Sequence, residues 1–391
     1  MKKLFLACLS LLLVLLLSGC GSQAMSVSVS TDGQYAVSAH QNNSLYLWNI
    51  DDQRKKRIAR DANIYSAYFV RGRDVFIWQD LDNQVHVQSV QDGELLTFEY
   101  PEPVYGHLMT EDLQRYLASD IGFRVELFDL EGSTTHTLKN ADGRAFLGFG
   151  KVLNMNLSAD EKYLLTAGYS YSFPAEFRKP RPTLEEEAER NHYAEINGVT
   201  LWSLETLEPV ARLYGNSSKT HASISPDGQW VISGDENGIG RFWNTQQPNE
   251  SFLNAHYFGG IYGGVDENDE FKFKPRDRSK LIPLPSERID DATLATLFIQ
   301  NSRYYIYLSY GGRQSSHPYA VLFETGNPWP IKYFDLGTDP WPSTREYSRN
   351  LTVSTAPEAG ILVTGQHSRG GINVYQFDAE ALTLERIWVG R

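Results

Sequence analysis

Two stretches of the sequence share one pattern of short strands and turns. Residues 221–245 read HASISPDGQWVISGDENGIGRFWNT, and residues 26–50 read SVSVSTDGQYAVSAHQNNSLYLWNI. In each stretch a Gly directly after an Asp supplies the positive φ angle that a tight hairpin turn needs. The flanking runs alternate or are continuously apolar over a few residues, as β-strands do. Each stretch therefore predicts three consecutive strands, the third of which ends in Trp-Asn.

Weaker copies of the Trp-ended strand occur along the rest of the chain. In the seven copies of this five-residue strand pattern, such as LYLWN and GRFWN, the fourth residue is Trp48, Gln88, Phe128, Trp202, Trp243, Phe323 and Tyr375. Three of the six intervals are 40 or 41 residues, the length of one four-stranded propeller blade. The pattern predicts an all-β, seven-bladed β-propeller with blades at about 26–60, 63–99, 104–138, 152–214, 221–255, 292–336 and 350–390. The alternative is an eighth blade at 256–291, a stretch without an Asp-Gly turn or a Trp-ended strand.

These repeats resemble the WD-repeat family over residues 26–391. In that family a His, a Ser or Thr, an acidic turn residue and the Trp form a buried hydrogen-bonded set. The resemblance implies such a set, with Asn in the place of the usual Asp, at His221, Ser233, Asn237 and Trp243. Propellers of the Tol system share the SPDG turn at 225–228, but the Trp-Asn strand ends favour the WD-repeat type. The chain is predicted to start at the first strand of blade 1 and to end at the last strand of blade 7, so no blade combines strands from both ends of the chain. We therefore expect the ring to close by packing of blade 7 against blade 1 alone.

The first twenty residues, MKKLFLACLSLLLVLLLSGC, have the pattern of an export signal. Two lysines precede an apolar run from Leu4 to Leu17, which is shorter than the roughly 20 residues that span a bilayer. The run ends in a sequence that resembles the bacterial lipoprotein box. The resemblance implies a signal peptide over 1–19, acylation of Cys20 and a short tether through residue 25. The alternative is an ordinary cleaved signal with a chance Cys.

The residues after Cys20 indicate a cellular compartment, and the overall composition excludes some classes of function. Gly21 and Ser22 replace the Asp that often retains lipoproteins at the inner membrane, which favours the outer membrane facing the periplasm. The 36 Lys and Arg residues are outnumbered by 48 Asp and Glu, giving a net charge of −12, which disfavours nucleic-acid binding. Two cysteines exclude a disulfide framework and a Cys-ligated metal centre.

The sequence contains no motif of a known catalytic class. No GxSxG, HExxH, P-loop or GxGxxG pattern occurs. The nine histidines show no ligand spacing, and we interpret His107 and His221 as core hydrogen-bonding residues. We therefore predict no catalytic residues, no metal and no cofactor.

Three long segments interrupt the blade pattern, at about 168–197, 256–291 and 337–349. The four strands of a blade are labelled a to d in chain order. On a propeller the b–c and d–a loops leave one face, so these segments are expected to share that face, where binding sites often lie. The candidate binding face consists of the aromatic and basic residues Tyr169, Tyr171, Phe173, Phe177, Tyr257, Phe258, Tyr262, Lys272, Lys274, Arg276, Arg278 and Lys280. The alternative is that the aromatic rings pin the loops to the rim and that the charges are only solvated.

The sequence thus favours a monomeric, lipid-anchored scaffold that docks envelope proteins. The alternative is a propeller hydrolase of the lactonase or esterase type with a site in the central channel. The lining of the channel discriminates between the two. Clustered Asp, Glu, His and Asn residues from several blades would favour the enzyme, whereas small, hydroxylated and apolar residues would favour the scaffold. The expected inner strands, which contain SVSVS, HLMT, LNMNLS and SISP, are mostly small or apolar.

Overall fold

The structure is a computed structural model. It describes residues 22–120, 125–131, 133–138, 152–168, 199–213, 220–235, 240–247, 251–253, 261–265, 271–275, 289–311, 318–327, 329–336, 352–366 and 370–391. In this part of the chain no helix is long and apolar enough to cross a bilayer.

Seven four-stranded antiparallel sheets, each in simple chain order, form the blades of a β-propeller. Blade 1 contains β1 (Ala24–Val29), β2 (Tyr35–His40), β3 (Leu45–Asn49) and β4 (Arg54–Ala59). Blade 2 contains β5 (Tyr68–Phe69), β6 (Val75–Gln79), β7 (Gln84–Ser89) and β8 (Gly93–Glu99). Blade 3 contains β9 (Val104–Met109), β10 (Arg115–Asp120), β11 (Val125–Asp129) and β12 (Thr134–Thr137). Blade 4 contains β13 (Val152–Leu157), β14 (Tyr163–Gly168), β15 (Val199–Ser203) and β16 (Pro209–Leu213).

The remaining blades follow the same plan. Blade 5 contains β17 (Thr220–Ile224), β18 (Trp230–Asp235), β19 (Gly240–Asn244) and β20 (Ser251–Leu253). After a separate hairpin of β21 (Ile261–Val265) and β22 (Phe271–Pro275), blade 6 contains β23 (Ile289–Gln300), β24 (Tyr304–Gly311), β25 (Pro318–Glu324) and β26 (Lys332–Asp335). Blade 7 contains β27 (Val353–Ala356), β28 (Ile361–Gly365), β29 (Ile372–Asp378) and β30 (Thr383–Gly390). The seven-bladed prediction is confirmed by the seven four-stranded sheets, and the described residues of the segment 256–288 form one two-stranded hairpin.

The position that carries the repeated Trp is equivalent in every blade. On each third strand this residue pairs with the second residue of the preceding strand, as Trp48 does with Ala36 and Trp243 with Val231. The same register holds for Gln88, Phe128, Trp202, Phe323 and Tyr375. The period read from the sequence therefore locates the third strand of all seven blades.

The turn between the first and second strands is built by one repeated hydrogen-bond pattern. In blade 1 the Ser30 hydroxyl donates to Asp32 Oδ1 at 2.6 Å and accepts from the Tyr35 N–H at 2.9 Å. The same hydroxyl–carboxylate bond occurs at Thr110 with Asp112, Ser158 with Asp160 and Ser225 with Asp227. In two of these turns the predicted Asp-Gly glycines have positive φ angles, 75° at Gly33 and 70° at Gly228.

The ring closes between blades 7 and 1 by hydrogen bonds as well as by packing. Val27, Trp48 and Ile361 belong to one buried core shared by the two blades. The Ala24 N–H also donates to the Gln366 carbonyl at 3.3 Å. The expectation of closure by packing alone was therefore wrong, although β30 does complete its own blade as predicted.

Two glycines allow the closing blades to approach each other. A Cβ at Gly365 would lie 2.8 Å from the Cβ of Ala24, and one at Gly390 would lie 2.8 Å from the Trp48 ring. Any side chain at these positions would require the seam to open, since real contacts of a Cβ are essentially never that short.

Replacing Trp243 by Ala tests the packing between blades. The Trp243 side chain is 1% exposed and lies in the core between blades 4 and 5, so we expect its loss to lower the free energy of unfolding by about 3–5 kcal/mol. Chemical denaturation measures this, with Trp230→Ala, at a half-buried position, as the control that costs less. Equal losses in the two variants would contradict the assignment of Trp243 to an inter-blade core.

Candidate functional site

The first strands of the seven blades enclose a central channel. The cavity within it has a volume of about 240 Å³ and is lined by residues from every blade. Because residues from all seven blades line it, this cavity is the place to look for convergent chemistry.

The alternating inner strands place hydroxyl groups in the channel wall. In β1, Val27 and Val29 pack into the core shared with blade 7, so the intervening serines point the other way. The Ala67 N–H donates to Ser26 Oγ at 3.2 Å, and the Phe69 N–H donates to Ser28 Oγ at 2.9 Å. Ser26 and Ser28 thus bind the backbone of blade 2.

Equivalent bonds join other neighbouring blades across the channel wall. The Ala222 N–H of blade 5 donates to Asn154 Oδ1 of blade 4 at 3.2 Å. The Ser223 hydroxyl donates to the Thr296 carbonyl of blade 6 at 2.6 Å. The Val29 N–H donates to Ser354 Oγ of blade 7 at 3.2 Å. These side chains satisfy backbone groups on the inner edges of the sheets, which have no further strand to pair with.

Two buried histidines belong to the same wall. His107 Nε2 donates to the Ser66 carbonyl of blade 2 at 2.5 Å, and its Nδ1 accepts from the Tyr116 hydroxyl at 2.8 Å. His221 Nδ1 accepts from the Thr296 N–H at 3.1 Å, so that the ring carries its proton on Nε2. Burial lowers the pKa of His107 to about 4 and that of His221 to about 3. Both rings are therefore neutral hydrogen-bonding groups of the wall at neutral pH.

Blade 1 contains a Trp-centred hydrogen-bonded set in which the His is the last residue of the second strand, whereas the resemblance implies a His before the first strand. The Trp48 indole donates to Ser38 Oγ at 2.8 Å, and Ser38 is bonded to His40 Nε2 at 2.8 Å. His40 Nδ1 then donates to the Ser22 carbonyl at 2.8 Å. Sequence reasoning missed His40, although the Ser-x-His pattern at the end of the second strand is a local signal for it. In blade 4 the Trp202 indole likewise donates to the Thr166 hydroxyl, Oγ1, at 2.9 Å.

The set predicted in blade 5 differs from this arrangement. Ser233 and Trp243 are buried on adjacent strands, but the His221 ring bonds to Thr296 of the next blade. Asn237 lies outside the described residues. His221 is thus a link between blades, whereas the resemblance implied a role within its own blade.

Most residues of the predicted binding face lie outside the described part of the chain. These are Tyr169, Tyr171, Phe173, Phe177, Tyr257, Phe258, Arg276, Arg278 and Lys280. The predicted acylation site, Cys20, also lies outside the described residues. Three other residues of the face are on the hairpin, where the backbone of Tyr262 pairs with that of Lys274, and that of Gly264 with that of Lys272. The hairpin brings an aromatic and a basic position of the predicted face into register.

Charged side chains in the cavity wall are confined to the described turns of blades 2 and 7. There the Arg71 guanidinium and the Glu358 carboxylate form an ion pair with each other. The rest of the wall is mostly small, hydroxylated, amide or apolar, with two neutral histidines. Within the described ranges, no group of three or more His, Cys, Asp or Glu residues is placed to hold a metal ion.

Comparisons with known proteins agree with this architecture. Residues 12–49 and 207–244 match the family described as WD domain, G-beta repeat. The chain is similar to the crystal structure of the Cps50 (Swd1) beta-propeller domain of Myceliophteria thermophila, with 12% sequence identity, a TM-score of 0.57, and coverage of 92% of this chain and 97% of that one. At this identity the likeness shows the fold alone. No curated protein matches the sequence. Together the repeats and the fold support a WD-repeat β-propeller.

Replacing His107 by Gln tests the role of the buried histidines. An unfolded His titrates near pH 6.5, and the folded pKa values are about 4 for His40 and His107 and about 3 for His221. Between these pH values only the unfolded chain binds the protons. The stability is therefore complete above pH 6.5 and falls as the pH is lowered, by about 1.4 kcal/mol per pH unit for each ring.

Denaturation curves between pH 6.5 and pH 5 measure this slope. We expect His107→Gln to reduce the slope of the unfolding free energy with pH by the contribution of one histidine proton. The matched control is His136→Gln, on the exposed outer strand β12, which removes a histidine without disturbing the channel wall. A slope that His107→Gln leaves at the wild-type value would contradict the assigned role.

Proposed function

We propose that this chain is a lipid-anchored scaffold of the bacterial cell envelope that docks protein partners on one face of its propeller. A WD-repeat propeller supports a protein-interaction role in general. The location, the anchor and the nature of the partners are the specific parts of the proposal. The composition of the channel wall agrees with a scaffold and gives the hydrolase alternative no support.

The observation that carries the proposal is where the long insertions enter the fold. They interrupt the connections from Gly168 to Val199, from Leu253 to Ile289 and from Asp335 to Val353. The first connection is b–c and the other two are d–a, and in an antiparallel blade both kinds leave from the same end. Long loops concentrated at one end of a rigid scaffold are a common arrangement for recognition.

The start of blade 1 supports an anchor on this same face. The Asn42 N–H donates to Ser22 Oγ at 2.8 Å, and the Gln41 N–H donates to the Gln23 carbonyl at 2.9 Å. These bonds tie the chain to the b–c turn of blade 1, and β1 begins at Ala24, two residues earlier than expected. Three residues, 21–23, then separate Cys20 from the blade and span at most about 10 Å. Acylation of Cys20 would hold the loop face close to the bilayer.

Replacing Cys20 by Ala tests the anchor. Without the thiol no acyl chain can be attached, so we expect the protein to leave the membrane fraction or to remain unprocessed. Two acyl chains provide stable anchoring, whereas one is marginal. The matched control is Cys8→Ala, within the predicted signal peptide, which should fractionate like the wild type. Normal processing and membrane association of the Cys20 variant would refute the anchor.

Reversing the charges of Lys272, Lys274, Arg276, Arg278 and Lys280 tests the loop face. We expect weaker crosslinking to envelope partners or weaker liposome association, because each cation near an anionic surface contributes about 1 kcal/mol. The midpoint of thermal unfolding should not change. The control reverses Arg73, Lys162 and Arg303, which lie in a–b turns on the opposite face. If neither charge reversal changes crosslinking or liposome association, the basic residues of the loops are only solvated and bind no partner.

A further inference from the structure

The outermost strand of blade 1 is strongly basic. β4 and the residue after it read RKKRIAR over positions 54–60, in a chain with a net charge of −12. The five cations, all exposed, are Arg54, Lys55, Lys56, Arg57 and Arg60. We call them the β4 cations. They are separate in the sequence from the basic run at 272–280.

The β4 cations have no neighbouring counter-charge at ion-pair distance within the described structure. Elsewhere Lys162 pairs with Asp160 at 2.9 Å, and Arg303 with Glu324 at 3.0 Å. Lys55 Nζ instead lies 5.0 Å from the centroid of the Tyr46 ring. Asp51, Asp52 and Asp61 flank the strand in the sequence. The β4 cations are thus a local excess of positive charge that forms no ion pair with a described carboxylate.

Protection of a sheet edge does not explain this charge. Lys and Arg on an outer strand do discourage edge-to-edge aggregation. However, the outer strands of the other blades have the same open edge, and their sequences, GELLTFE, TTHT, PVARL, SFL, KYFD and TLERIWVG, contain at most one cation each. The cluster is thus particular to blade 1 and calls for a specific partner.

The geometry of β4 sets the shape of that partner. The strand is the last in its sheet and pairs only with β3 among the described strands. Trp48 pairs with Lys55 and Leu47 with Lys56, so the cations project alternately on both sides of an open backbone edge. The side facing Tyr46 also forms a shallow groove with Ile58 and Ala59. An elongated ligand that follows the strand could contact the cations, the groove and the free edge together.

A membrane surface fits this geometry less well than a peptide. β4 runs from one face of the propeller to the other, as its pairing with β3 requires, and its six residues span about 20 Å. A bilayer against either face would meet one end of the strand, while the other end lies beyond the screening length of about 8 Å. An extended chain has no such restriction.

We propose that β4 of blade 1 binds an extended acidic segment of a protein partner along its outer edge. Carboxylates of the segment would pair with the β4 cations, and its backbone would add to the open edge as a further strand. The inference does not rest on the lipid anchor or on the loop face, so its failure and theirs are distinguishable.

The test uses the full chain purified in detergent and a fluorescent ten-residue peptide of alternating Glu and Thr, at low salt. A peptide with Gln in place of Glu is the ligand control. The variant is Lys55→Gln/Lys56→Gln/Arg57→Gln, and the matched control is Arg73→Gln/Lys162→Gln/Arg303→Gln, which changes the net charge equally at dispersed positions. Thermal unfolding confirms that both variants are folded.

We expect the wild type to bind the glutamate peptide and not the glutamine peptide. The β4 variant should bind about tenfold more weakly, as the loss of three exposed ion pairs predicts, and the control should match the wild type. Failure of the wild type to bind the glutamate peptide, or equal affinities in the two variants, would overturn the proposal. So would a β4 variant that binds the peptide normally but no longer sediments with phosphatidylglycerol vesicles, because the edge would then be a lipid-binding surface.

Discussion

The inner edges of seven sheets meet at one axis, and each edge carries backbone groups with no further strand to pair with. Buried backbone N–H and C=O groups need partners. Side chains of the neighbouring blade supply them, as Ser28 does for Phe69 and Asn154 does for Ala222. Because each such bond joins two blades, satisfying the inner edge also fixes the angle between them. The rigidity of the ring depends on these bonds as much as on the apolar cores between the blades.

The same requirement explains what the channel contains. Groups that could otherwise bind a ligand are already hydrogen-bonded within the protein: His107 Nε2 and His221 Nδ1 bond to backbone, and His107 Nδ1 bonds to the Tyr116 hydroxyl. Their burial keeps them neutral and makes the stability depend on pH. At the seam between blades 7 and 1, Gly365 and Gly390 allow backbone to approach where any side chain would intrude. The described polar groups of the channel wall thus stabilise the packing of the blades.

Capacity for recognition lies toward the periphery. The insertions enter at one end of the blades, and the first described residues, Ser22 and Gln23, are tied to that same end. The β4 cations lie on the outermost strand of blade 1 and form no ion pair with a described carboxylate. The proposed loop face and the proposed β4 edge are two separate surfaces, so a partner on one would leave the other accessible.

Local patterns in the sequence determined the strands, the Asp-Gly turns and the number of blades, because alternation, turn residues and a repeated Trp act within a single blade. The position of Trp48 and its six counterparts was predictable for that reason. Only the tertiary structure decided that His221 bonds to Thr296, that His40 bonds to Ser22, and that the β4 cations form no ion pair with a described carboxylate. Each of these depends on which residues distant in sequence become neighbours when the blades close into a ring. That geometry is set by the inner-edge bonds and the inter-blade cores together, and no short stretch of sequence encodes it.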